Sequence, residues 1–110
     1  MVSDRYVPRR FAIDDQLFGK ERLIKWKSEH RLHGSELDQR RASQMQHFAA
    51  FAIREALRQS SLYYSIAEYA RAVDVSERRM SAVLRGDVVM RIEDLAAAER
   101  VLKIQDWTGR

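Results

Sequence analysis

Two helix-opening signals in close succession constrain this chain more than any other feature of its sequence. Ser65 with Glu68 forms an S-x-x-E capping box, which satisfies free N–H groups at a helix start, and Tyr64 with Tyr69 occupies the two positions of a hydrophobic staple. Ile66, Tyr69, Ala70 and Val73 make a compact apolar stripe, so the spacing predicts a short helix over about 66–73. Asp74 follows where a left-handed residue turns the chain. Ser76 caps a second helix that turns Met80, Val83 and Leu84 inward, and Gly86 stands where its C-cap belongs. After a loop at 87–90, a last helix over about 91–103 is expected to bury Ile92, Leu95, Ala98 and Leu102.

Upstream, Gly34 breaks the chain, and Ser35 with Asp38 resembles a second capping box. Nothing interrupts a helix from 36 to 59, which would be roughly 35 Å long. Its expected apolar stripe is Met45, Phe48, Ala49, Ala52 and Ala56, with Phe51 well off it. A second face therefore asks for a cover, either the N-terminal segment folded back or another copy of the chain. Residues 14–32 mix Leu17, Phe18, Leu23, Ile24, Trp26 and Leu32 with many charges and are read as partly helical.

A chain of 110 residues makes one domain that buries roughly two-thirds of its unfolded surface. With no cysteine it has no disulfides, thiolate nucleophiles or cysteine-based zinc sites, and a reducing, cytoplasmic setting is the expectation. No apolar run approaches the ~20 residues that cross a bilayer, and the first residues show no secretory h-region. Four glycines and one proline favour long regular segments. The net charge is +4, and its excess lies wholly in the first half: residues 1–58 hold 12 Lys/Arg against 8 Asp/Glu, and 59–110 hold 8 against 8. Sixteen of the 20 cations are Arg, suited to bidentate contacts with phosphate, carboxylate or guanine, although a GC-rich genome produces the same excess.

Two short helices joined through Asp74, Val75 and Ser76 have the layout of a helix-turn-helix. The stretch SIAEYARAVDVSERRMSAVLRGD resembles the second helix, turn and recognition helix of the lambda-repressor-like (Cro, XRE) family of DNA-binding domains. FAIREALRQ before it and RIEDLAAAERVLKI after it resemble the family's first and fourth helices, so the resemblance covers about 45–104. Asp74 departs from the glycine usual at that turn. The resemblance implies an all-α domain of four or five helices over 35–110, with its motif at about 65–86 and residues 1–34 as an N-terminal extension or arm. It also implies sequence-specific binding of double-stranded DNA by a bacterial or phage transcriptional regulator, commonly a repressor and a homodimer.

A helical wheel of about 100° per residue puts Arg78, Ala82 and Arg85 opposite the inward face, with Ser81 beside them and Arg79 on the flank. Ser76 and Glu77 lie at the helix start, the end such motifs point at base edges. Base-reading candidates are thus Ser76, Glu77, Arg78, Ser81 and Ala82, with Arg78 for guanine or phosphate, Glu77 for cytosine and Ala82 for a thymine methyl. Glu77 serves equally to stabilise the helix start, with Arg79 paired to it. Backbone candidates are Ser65, Arg79, Arg85 and Arg91, with Arg9 and Arg10 on a basic N-terminal arm.

The competing expectation is an interaction module, antitoxin-like or adaptor, that keeps the helix-turn-helix as a scaffold and binds a protein through Phe18, Trp26, Phe51 or Trp107. Any dimer would rest on the extension before residue 45 or on the IQDWTGR tail. The His30, His33 and Glu29 patch lacks HExxH order and a fourth ligand, so no metal is expected, and His47 reads as a polar neighbour of the core. No nucleophile elbow, Walker loop, dinucleotide fingerprint or acid/base carboxylate pair occurs, so neither a cofactor nor enzymatic activity is expected.

Overall fold

Ser65 and Ser76 open their helices through side-chain caps: the Ser65 hydroxyl accepts the Glu68 N–H and the Ser76 hydroxyl the Arg79 N–H, each at 3.1 Å. The Glu68 carboxylate meets the Ser65 hydroxyl at 3.1 Å instead of reaching back to the backbone. In the computed structural model, which describes residues 6–60, 62 and 65–105, these caps start α2 (Ile66–Ala72) and α3 (Glu77–Arg85). They are flanked by the long α1 (Ser35–Gln59) and by α4 (Ile92–Leu102). Tyr64 of the staple and Trp107 of the tail lie outside the described residues.

The described residues form four α-helices and no strand, so the fold is all-α. Asp74 turns the chain between α2 and α3 at φ +62°, as its short polar side chain permits. Gly86 ends α3 at φ +79°, and a Cβ there would lie 2.7 Å from the Phe18 ring. Glycine is therefore required twice over at this position, by the backbone angle and by the packing. At the start of α1, Gly34 is the capping residue and no side chain caps the helix, so the expected Ser35–Asp38 box does not form.

The core joins Ile53, Leu57, Tyr69, Ala70, Met80, Leu84 and Ala98 around Phe18. The apolar stripe of α1 is rotated from its expected phase. Met45 is 49 % exposed, whereas Ser43, Gln46, His47, Ala49, Ala50, Ile53 and Leu57 are buried. Three of these are polar, and for two the long-range partners are plain. The Gln46 amide donates to the Val83 and Val88 carbonyls at 2.9 Å each and accepts the Met90 N–H at 2.8 Å, tying α1 to the loop between α3 and α4. His47 serves the N-terminal segment in the same manner.

That segment covers the second face of α1. Pro8–Phe11 and Asp15–Leu17 form short 3-10 turns, Ala12 and Trp26 make an isolated antiparallel bridge, and the first turn packs against α1. Phe18, expected as a partner contact, is fully buried. Trp26 is half-buried, edge-on to Phe18 with centroids 6.3 Å apart and to His47 at 5.4 Å. Phe51 is half-buried as well. From Tyr6 onward the extension is thus packed into the domain; it is not a free arm.

In α4 one expectation reverses. Ile92 is 77 % exposed, and Asp94 is buried in its place. No described helix is long and apolar enough to cross a membrane.

Candidate functional site

The outward face of α3 follows from its inward one. Met80, Val83 and Leu84 are buried against α1 and α2, which leaves Arg78 exposed and Ala82 half-exposed on the opposite side. A groove of about 740 Å³ runs along this face, with Ser76, Arg78, Arg79 and Ala82 on its α3 side and Arg91, Val88, Val89 and Tyr6 on the other. Five of the expected contact residues therefore meet in one place: Ser76, Arg78, Arg79, Ala82 and Arg91. Glu77 and Ser81 do not line the groove; Glu77 is exposed and Ser81 half-exposed.

The charges of this face are unequally available. Arg78 is exposed and makes no ion pair among the described residues. Arg79, expected at the DNA backbone or paired with Glu77, is committed elsewhere: its guanidinium grips Asp94 with two parallel bonds of 2.9 and 3.0 Å. The Asp94 side chain is 5 % exposed and accepts the Arg91 N–H at 2.8 Å, so one carboxylate caps α4 and pins α3 to it. Releasing Arg79 to a ligand would strand that buried charge, and Arg79 is therefore structural. Arg91 stays more than half exposed, its Nε 3.9 Å from Asp94.

At the far end of α3, Asp87 gathers Arg85 and Arg9. Arg85 reaches it through Nε at 3.0 Å and through a second nitrogen at 2.9 Å, and Arg9 reaches it at 2.6 Å. Arg9 also meets Asp15 at 2.9 Å, and its N–H donates to the Gly86 carbonyl at 3.0 Å. Arg9, expected on a basic arm at the DNA backbone, is thus a staple between the N-terminal segment and the α3 C-terminus. Arg10 next to it is exposed, as is Ser65 beyond its cap. Arg85 keeps half of its side chain in solvent.

Asp94, Asp87 and Gln46 escaped the sequence reading. Asp94 stands three residues after Arg91, a spacing that signals an acidic N3 side chain, but arginine is a poor helix-start marker and hid it. Gln46 and Asp87 act across the fold and leave no local pattern. Met45, Val88, Val89 and Ile92 form an exposed apolar strip beside the groove, and a smaller hollow of about 150 Å³ lies between α1 and α4. No group of three or more acidic or histidine side chains that could hold a metal occurs among the described residues.

No family model, curated protein or solved structure matches the chain.

Proposed function

We propose that the chain is a sequence-specific regulator that binds double-stranded DNA through a helix-turn-helix of the lambda-repressor-like kind, with α3 in the major groove. The observation that carries this is Arg78, exposed and without an ion pair among the described residues, on one groove-lining face with Ser76 and Ala82 of a helix anchored on its other side. An α-helix about 10–12 Å across fits a major groove about 12 Å wide. Arg78 is the candidate for a bidentate contact to guanine, Ala82 for a thymine methyl, and Arg91 and half-exposed Arg85 for phosphates on either side. Following the resemblance, two chains share a two-fold site.

Selection from a randomised duplex pool, followed by anisotropy titration of the winner, tests this. Enrichment of one motif is expected, and Arg78→Ala should cost about tenfold or more in affinity for it while flattening the preference at one base pair. An unenriched pool, or binding untouched by Arg78→Ala together with Arg85→Ala, refutes the assignment. A protein-binding role is the second reading. It now rests on the exposed strip Met45, Val88, Val89 and Ile92, because Phe18 and Trp26 face inward.

A further inference from the structure

A second concentration of positive charge lies away from the α3 groove, where the N-terminal segment crosses α1. Gly19 makes it possible. Its φ is +73°, and a Cβ there would stand 2.5 Å from the Leu84 carbonyl and 3.0 Å from Ala50, so only glycine lets the chain sink into the angle between α1 and α3. The next residue, Lys20, is thereby held over the C-terminal half of α1. It borders two cavities: one of about 340 Å³ with Arg54, Leu57, Arg58 and Ile66, and one of about 250 Å³ with Arg85, Arg9 and Asp87.

Arg9, Arg58 and Arg85 here are paired with carboxylates, and two cations are not. Neither Lys20 nor Arg54 has an ion-pair partner among the described residues. The Arg54 Nε is buried and donates no hydrogen bond. Burial, and after it the Arg85 charge, pushes the Arg54 guanidinium below its ordinary pKa. The acids that border these cavities are already engaged, Asp87 by Arg85 and Arg9 and Asp15 by Arg9. A guanidinium and an ammonium without carboxylate partners, near a second guanidinium, suit a compact multivalent oxyanion.

We propose that Lys20, which borders both cavities, binds a phosphate group together with Arg54 of one and Arg85 of the other. The group is either a backbone phosphate of bound duplex or the phosphate of a free small molecule. The backbone-phosphate source rests on the duplex-binding reading, with which the site shares Arg85; binding of a free phosphate compound does not.

The test uses the full chain and inorganic phosphate, followed by amide NMR against sodium chloride at matched ionic strength. Saturable shifts centred on Gly19, Lys20, Arg54 and Arg85 are expected, and Arg54→Gln should weaken phosphate binding about tenfold. Lys20→Gln, at an exposed position, should weaken it severalfold and guards against a folding defect in the Arg54 variant. The selected duplex then separates the two sources. If the site takes a backbone phosphate, each variant lowers the slope of log affinity against log salt by about one. If duplex binding is unchanged while phosphate binding is lost, the ligand is a free phosphate compound. Shifts that match chloride, or that persist in both variants, overturn the proposal even if DNA binding through Arg78 holds. Absence of any duplex binding with phosphate binding intact refutes only the role of α3.

Discussion

His47 offers the sharpest check on how the N-terminal segment is held. Its Nδ1 accepts the Gly19 N–H at 2.8 Å, so that nitrogen is unprotonated, and its Nε2 then carries the proton and donates to the Arg22 carbonyl at 2.9 Å. The ring is fully buried, with Phe18, Trp26 and Phe48 at centroid distances of 5.0–5.4 Å. His47→Phe keeps a planar ring in that space and removes both bonds. The Gly19 N–H is buried and loses its only acceptor at a cost of about 1–3 kcal/mol. The Arg22 carbonyl is only partly buried and adds about 1 kcal/mol or less. A loss of about 2–3 kcal/mol near pH 7.5 is expected in urea unfolding.

The pH dependence is the stricter half of the test. Desolvation pushes the His47 pKa below its ordinary 6.5, and the hydrogen bond to Arg22 only partly opposes this. A second proton on Nδ1 would face the Gly19 N–H, donor against donor. The unfolded state therefore binds more protons than the folded state below 6.5, so the His47 contribution is complete above that pH. It declines as the pH falls toward the depressed folded value, by at most about 1.4 kcal/mol per pH unit. Comparing the native chain with His47→Phe at each pH cancels every other titrating group. The stability gap should narrow steadily from pH 7 to 5. A gap that stays constant, or that widens in acid, would mean the ring is not held neutral by Gly19, and the account of this junction would be wrong.

Two further substitutions probe the scaffold around α3. Asp94→Ala removes the cap of α4 and strands the Arg79 guanidinium; because Arg79 keeps 27 % side-chain exposure, a loss of about 2–4 kcal/mol is expected by chemical denaturation. Adding Arg79→Ala should then cost little more, and fully additive losses would show that the pair is not coupled. Gly86→Ala places a Cβ in a left-handed position and 2.7 Å from the buried Phe18 ring, so about 2–4 kcal/mol should be lost; a melting temperature within a degree or two of the native chain would contradict the Phe18 seat.

What the sequence revealed, and what it concealed, divides along the range of the interactions involved. The bounds of α2 and α3 were legible because the groups that set them are neighbours: Ser65 with the Glu68 N–H, Ser76 with the Arg79 N–H, Asp74 and Gly86 in their own backbone angles. The phase of α1 was not. Polar Gln46 has no inward place in the expected stripe and His47 only one beside the core, yet both are buried because their partners arrive from α3 and the loop after it and from Gly19 and Arg22. Without those partners, Met45 and Phe48 define the apolar stripe, and the helix is read rotated. The same reasoning moves Phe18 from a partner surface to the centre of the core, since nothing near it in sequence shows that Gly86 will lie against its ring. For the candidate site, the outward direction of Arg78 and Ala82 follows from helical period alone. Which arginines are free to act does not, because the acids that engage Arg79, Arg85 and Arg9 are set by the tertiary fold. An arginine-rich helix therefore offers fewer contacts than its composition suggests, and on α3 the side chain left without a carboxylate is Arg78.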